Sequence, residues 1–123
     1  MLWTVDPARD EALFAQIAAQ VRAAVTSGEL RTGDRLPPAR VLADSLDVNL
    51  HTVLRAYQDL RDEGLVDLRR GRGAVIAEHA DYGALAVPVA ALVDAARRAG
   101  VSATAATALL QAAFARPTTT EGR

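Results

Sequence analysis

The chain predicts a mainly α fold with a small β wing, a winged helix-turn-helix followed by a two-helix C-terminal part. Three observations carry the prediction. Within residues 36–76, a short helix, a tight turn and a longer helix opened by Asn49 succeed one another. Two β-prone runs follow at once, joined by Arg69, Arg70, Gly71, Arg72 and Gly73. Two alanine-rich segments then fill residues 85–115. Helix, turn, helix, hairpin is the order of a module whose second helix enters the DNA major groove.

Each element has its own signal. Residues 1–5 alternate weakly, are β-prone and end at Asp6 and Pro7, which reads as a short strand. Leu13, Ile17, Val21 and Val25 recur every fourth position, with Phe14 and Ala18 beside them, so residues 12–27 form an amphipathic helix stopped by Gly28. Residues 28–34 read as a loop held by two glycines. Pro37 and Pro38 start the next helix, because a proline in the first turn lacks only an N–H that would be unpaired anyway. Residues 39–46 are expected to turn Val41, Leu42 and Leu46 inward and Arg40 outward. Asp47 and Val48 make the turn, and Asn49 caps a third helix reaching about Glu63. Val53, Ala56, Tyr57 and Leu60, at i, i+3, i+4 and i+7, form its core face. Gly64 ends it, and residues 65–68 and 74–76 are the wing strands, with both turn glycines available for positive φ.

The pattern breaks over residues 77–83. The expected organisation is a DNA-binding domain over 1–77, a two-helix dimerisation part over 78–117 and a flexible tail over 118–123. Gly100 closes the first C-terminal helix, Ser102 caps the second, and Pro117 prevents its extension. The tail has no apolar anchor and is expected to be mobile.

Composition narrows the function classes. At 123 residues there is room for one compact domain and a small appendage. No cysteine is present, so disulfides and thiolate chemistry are excluded. No apolar run approaches the ~20 residues of a membrane span, and no charged-then-apolar leader opens the chain, so the cytoplasm is the expected location. The net charge of −1 and pI of 6.1 lack the global positive excess usual for nucleic-acid binding. Phosphates meet one face only, so local distribution outweighs the sum. All fourteen cationic residues are arginine. That is compatible with bidentate phosphate and guanine contacts, and equally with a genomic bias towards arginine and alanine.

An enzyme is not expected. His51 and His79 lie apart with no second ligand at helical spacing, so neither a metal nor a cofactor is implied. Glu78, His79 and Asp81 read as a solvated linker. The adjacent pairs Asp10–Glu11 and Asp62–Glu63 read as surface charge, and Ser27, Ser45 and Ser102 as helix-end residues without an activating histidine. The arginine- and glycine-rich turn fails as a nucleotide cradle, since a strand and not a helix follows it. As a wing, Arg70 and Arg72 can reach phosphates or the minor groove. Asn49, His51 and Thr52 occupy the first turn of the third helix, the part that meets bases, although Asn49 has a competing duty as cap. Arg40 and Arg55 are either solvated helix residues or DNA contacts.

With these residues in view, the chain resembles the GntR family of bacterial transcription regulators. The resemblance rests on Leu13, Phe14, Gln16 and Ile17; Ser27, Gly28, Leu30, Gly33, Leu36 and Pro37; Arg40, Leu42 and Ala43; Val48, Thr52, Val53 and Leu60; Glu63 and Gly64; and Arg70, Gly71, Arg72 and Gly73. Residues 48–58 are similar to the YtrA subfamily, whose members are similarly short. The resemblance implies a homodimeric winged-helix repressor on an inverted-repeat operator, commonly near transporter genes. A further reading, compatible with it, is a sensor released by a small effector, although no residue cluster marks a pocket for one. The family resemblance also implies DNA contacts at Arg40, within residues 49–55 and at the wing, Gly71 to Gly73. Pro38 stands where many relatives carry serine, and Leu50 and Leu54 where they carry arginine, so those contacts are not carried over.

Independently of the family, two short helices cannot bury their apolar faces on each other alone. Val89, Leu92, Val93, Leu109, Leu110 and Phe114 need another surface, either the winged helix or a second subunit. A second subunit would supply the two-fold pair of recognition helices that a palindromic operator requires. The rival reading is a winged-helix protein-interaction module without specific DNA binding, which the near-neutral charge favours.

Overall fold

The computed structural model describes residues 1–79 and 81–116. In order it contains α1 (Leu13–Ser27), α2 (Ala39–Leu46), α3 (Leu50–Asp62), β1 (Val66–Arg69), β2 (Gly73–Ile76), a 3-10 turn (Tyr82–Leu85), α4 (Ala86–Ala99) and α5 (Ala103–Ala115). The chain divides into two compact units, Met1–Gly83 and Ala84–Arg123, a few residues beyond the expected boundary. Among the described residues, no helix is long and apolar enough to cross a membrane.

In the first unit α1, α2 and β1 all pack on α3. Ile17, Val21, Val53, Leu60, Leu65, Val66 and Ile76 are almost wholly removed from water. Each such side chain contributes about 1.5–3 kcal/mol of transfer free energy. The core face of α3 is the expected one, with Val53, Ala56, Tyr57 and Leu60 buried. On α2 the expectation needs correcting. Val41 is exposed, and the buried pair is Leu42 and Ala43. Ala39, Leu42, Ala43 and Leu46 form the true i, i+3, i+4, i+7 stripe, and Val41 lies off it despite its larger side chain. Pro38 is likewise the residue preceding the helix, with extended backbone, and not part of its first turn.

The turn between α2 and α3 is closed by Asp47 in the left-handed region (φ 55°), which aspartate tolerates better than most residues. Its N–H and that of Val48 both reach back to carbonyls of α2, at Asp44 and Ala43. Asn49 then caps α3, its Oδ1 accepting from the His51 N–H at 2.8 Å.

The wing is antiparallel, with Val66 opposite Ile76 and Arg69 opposite Gly73. Its strands run one residue further towards the turn than expected, leaving Arg70, Gly71 and Arg72 at the tip. Gly71 and Gly73 both adopt positive φ (83° and 71°), which a residue with a Cβ would resist. The segment read as a loop supplies a third extended strip on the other edge of β2. Gly33 N–H donates to the Ile76 carbonyl, Ile76 N–H to that of Asp34, and Leu36 N–H to that of Ala74.

The expected strand at residues 1–5 is absent. Trp3 and Val5 pack against the core as alternation implies. Their neighbours, however, pair with glutamine side chains of α1 in place of a strand. Gln20 accepts from the Thr4 N–H and donates to the Thr4 carbonyl. Gln16 does the same with Asp6, at 2.8 and 2.9 Å, and also donates to the Glu11 carbonyl.

In the second unit, Gly100 closes α4 and the Ser102 hydroxyl caps α5, accepting from the Ala105 N–H at 3.1 Å. No residue of α4 or α5 is buried. Leu92, Ala96, Val101, Ala106, Leu109 and Leu110 line an apolar groove of about 320 Å³. Pro117 and the tail lie outside the described residues.

Candidate nucleic-acid interface

The amino end of α3 is solvent-facing. Asn49 and His51 are exposed and Thr52 is half-buried. Asn49 spends its carbonyl oxygen on the cap, which leaves its amide N–H groups as donors for a ligand. Arg40 is exposed on α2. Arg55 is exposed too, yet it is not simply solvated: its guanidinium carbon sits 3.8 Å from the centre of the Phe14 ring. A cation over a ring face at an exposed site is worth about 0.5–1 kcal/mol. The contact locates Arg55 at the seam between α1 and α3, a position its spacing along α3 did not reveal.

On the wing, Arg70 and Arg72 are exposed at the tip, whereas Arg69 is partnered with Asp67 at 3.1 Å. Arg35 joins this cluster and was missed from the sequence. It bridges to Val75 across the third strip, and its Nε donates to the Arg72 carbonyl at 3.2 Å. The only sequence signal for it was an arginine directly before the buried Leu36.

Two shallow grooves flank this surface. One, of about 370 Å³, runs from Pro37 and Pro38 past Leu54 of α3 to Arg69 and Arg70. The other, of about 650 Å³, is lined by Arg35, Leu36, Pro38, Arg69, Gly71, Arg72 and Gly73. Together their walls carry four arginines and no carboxylate. Since Asp67 pairs with Arg69, the positive charge of this surface rests on Arg35, Arg70 and Arg72.

Tyr57 fixes α3 against the floor of the first groove. Its hydroxyl donates to the Pro37 carbonyl at 2.7 Å, and burial pushes the phenol well above its ordinary range. A phenol whose folded pKa is raised adds stability that is fully present below the unfolded value of about 10 and lost as pH climbs beyond it. Thermal melts are therefore expected to weaken steeply above about pH 10, and Tyr57→Phe is expected to flatten that dependence while lowering stability at neutral pH by about 1 kcal/mol.

Glu63 corrects a further expectation. It is not idle surface charge: it accepts from Arg22 Nε and a terminal nitrogen at 2.8–3.0 Å, and from the Tyr82 hydroxyl at 3.0 Å. This hydrogen bond raises the Arg22 pKa, while burial, with help from Glu63, raises that of Tyr82. The carboxyl end of α3 is thus tied to both α1 and the segment after β2.

The six candidate dimerisation residues are all exposed, from Val93 at 40% to Phe114 at 82%. Among the described residues, no cluster of three or more histidine, cysteine or acidic side chains could hold a metal.

The model for bacterial regulatory proteins of the gntR family matches residues 13–76, from the first residue of α1 to the last of β2. The chain belongs to the GntR family. Among its GntR relatives is the HTH-type transcriptional repressor YtrA of Bacillus subtilis, 37% identical over 62% of this chain. The match spans 58% of that protein's length. The HTH-type transcriptional regulator Rv1152 of Mycobacterium tuberculosis is 40% identical, over 58% of this chain and 60% of its own. Among solved structures, YtrA from Sulfolobus acidocaldarius, a GntR-family transcription factor, is 33% identical with a TM-score of 0.58, covering 73% of this chain and 95% of that one. AraR(DBD) in complex with operator ORX1 shares the fold, with a TM-score of 0.54 at 24% identity, over 62% of this chain and 96% of its own.

Proposed function

We propose that this chain is a sequence-specific DNA-binding transcriptional regulator, a homodimeric repressor acting on an inverted-repeat operator and released by a small effector. The observation that carries the reading is the concentration of arginine along the grooves beside α3 and the wing, where Asp67 pairs with Arg69 while Arg35, Arg70 and Arg72 line the walls. A polyanion is the partner such walls favour. The named functions of the YtrA relatives and the AraR–operator complex support it. In this reading Arg40, Asn49, His51, Thr52 and Arg55 address the major groove, and Arg70, Gly71, Arg72 and Gly73 meet the flanking backbone.

The direct test is fluorescence anisotropy against DNA from upstream of the chain's own gene, across a salt series. Saturable binding that survives excess random competitor and falls steeply with salt supports the reading. Salt-independent behaviour with no preferred duplex would favour the protein-interaction module, to which the net charge of −1 also lends weight. Arg40→Ala is expected to weaken binding to the preferred duplex by about 1–3 kcal/mol with an unchanged melting curve.

For the dimer, the support is the exposure of Val89, Leu92, Val93, Leu109, Leu110 and Phe114 on two helices that bury nothing of themselves. Phe114→Asp with Leu109→Asp is expected to give a monomer in sedimentation velocity and to lose binding to a two-half-site duplex. A dimer that persists in that variant would move the interface elsewhere.

A further inference from the structure

The groove between α3 and the wing carries an apolar strip that the fold does not need. Leu54 lies one turn beyond Leu50 on α3. Leu50 packs against the core, whereas Leu54 is only half-buried and stands outside that cluster. It lines the groove with Pro37, Pro38 and Leu68, alongside Arg69 and Arg70. Leu68 shares a strand face with Val66, yet Val66 is 1% exposed and Leu68 41%. Opposite Leu68 stands Ala74, so the wing leaves a shallow depression where a larger residue would fill the face. Two leucines and two prolines therefore meet water beside the guanidinium groups of Arg70 and of Arg69, the latter paired with Asp67.

That pairing of chemistries selects its ligand. Guanidinium groups call for phosphate, and an apolar strip beside them calls for a group on the same polyanion that gains by leaving water. On the major-groove edges of DNA, the C5-methyl of thymine is such a group, and the other three bases lack it. Resting on the DNA-binding reading above, we propose that Leu54 determines specificity by packing on a thymine methyl in each half-site, with Leu68 and Pro38 completing the apolar wall.

The test uses the full chain and the duplex that it enriches from a randomised library. Thymines of that duplex are replaced by deoxyuridine one at a time, which removes the methyl and keeps the hydrogen-bonding edge. At one position per half-site the wild type is expected to lose about fourfold in affinity, the transfer free energy of one methyl group. Leu54→Ala is expected to bind the thymine and deoxyuridine duplexes equally, with an unaltered salt slope, and Leu54→Met to retain the preference. A wild type indifferent to every replacement, or a Leu54→Ala protein keeping the full penalty, overturns the assignment. If Leu54→Ala melts early, Leu68→Ala makes the same comparison from the wing side, with a reduced penalty expected and an unchanged one overturning it. Failure to enrich any duplex would remove the DNA-binding reading itself, and this inference with it.

Discussion

Replacing Arg70 and Arg72 together with glutamate is expected to cut duplex affinity by about a hundredfold or more, with the melting curve left in place. Both side chains stand at the exposed tip of the hairpin and contribute nothing to the core. Gly71 and Gly73, whose positive φ shapes the turn, are untouched. Each arginine that neutralises a phosphate adds about one to the slope of log affinity against log salt, so its loss subtracts the same. The double glutamine variant isolates that term: it is expected to lower the slope by about two for each protomer on the duplex, about four for the dimer, while glutamate adds repulsion on top. Anisotropy at several salt concentrations separates the two effects. If the glutamate variant bound as tightly as the parent, the wing would not meet DNA, and the protein-interaction reading would take precedence.

Gln16→Ala is expected to be the most damaging polar substitution in the winged-helix unit, lowering its stability by about 2–4 kcal/mol. Gln16 is 4% exposed, and its amide satisfies the Asp6 N–H, the Asp6 carbonyl and the Glu11 carbonyl together. Alanine removes three hydrogen bonds and leaves partly buried backbone groups without partners. It also frees the strip that carries Trp3 and Val5 onto the core. For a unit of this size such a loss corresponds to a fall in melting temperature of about 10–20 °C. Gln20→Ala, which releases the Thr4 backbone at an exposed position and a side-chain bond to the Gln16 carbonyl, is expected to cost less than half as much. Equal melting temperatures for Gln16→Ala and the parent would show that the N-terminal strip contributes nothing to stability.

Much of this architecture was legible because its causes are local. The i, i+3, i+4, i+7 spacing of Val53, Ala56, Tyr57 and Leu60 selects the buried face of α3 within two turns of helix, and Asn49 reaches only to His51. The glycines of the wing tip meet a backbone demand set by the turn itself. On α2 spacing decides where the expected inward set does not: the helix buries Leu42 and Ala43, the side that its period dictates, and leaves Val41 exposed. The candidate surface was legible in its α3 and wing residues, and illegible in Arg35.

By itself, then, the sequence determined the order of the helices and the two wing strands, the cap, the turn and the arginine-tipped hairpin, since these depend on neighbours a few residues away; its strand at residues 1–5 did not form. Only the tertiary structure decided the pairings. Asp34 with Ile76, Gln16 with Asp6, Arg22 with Glu63 and Arg55 over Phe14 join segments with no common local signal. Periodicity tells which side of an element is apolar and is silent on what will cover it. A strand edge can thus be satisfied by a polar loop, and another strip by glutamine side chains. The grooves beside α3, where arginine and leucine share one wall, exist only once the third strip, α2 and the wing have closed around that helix.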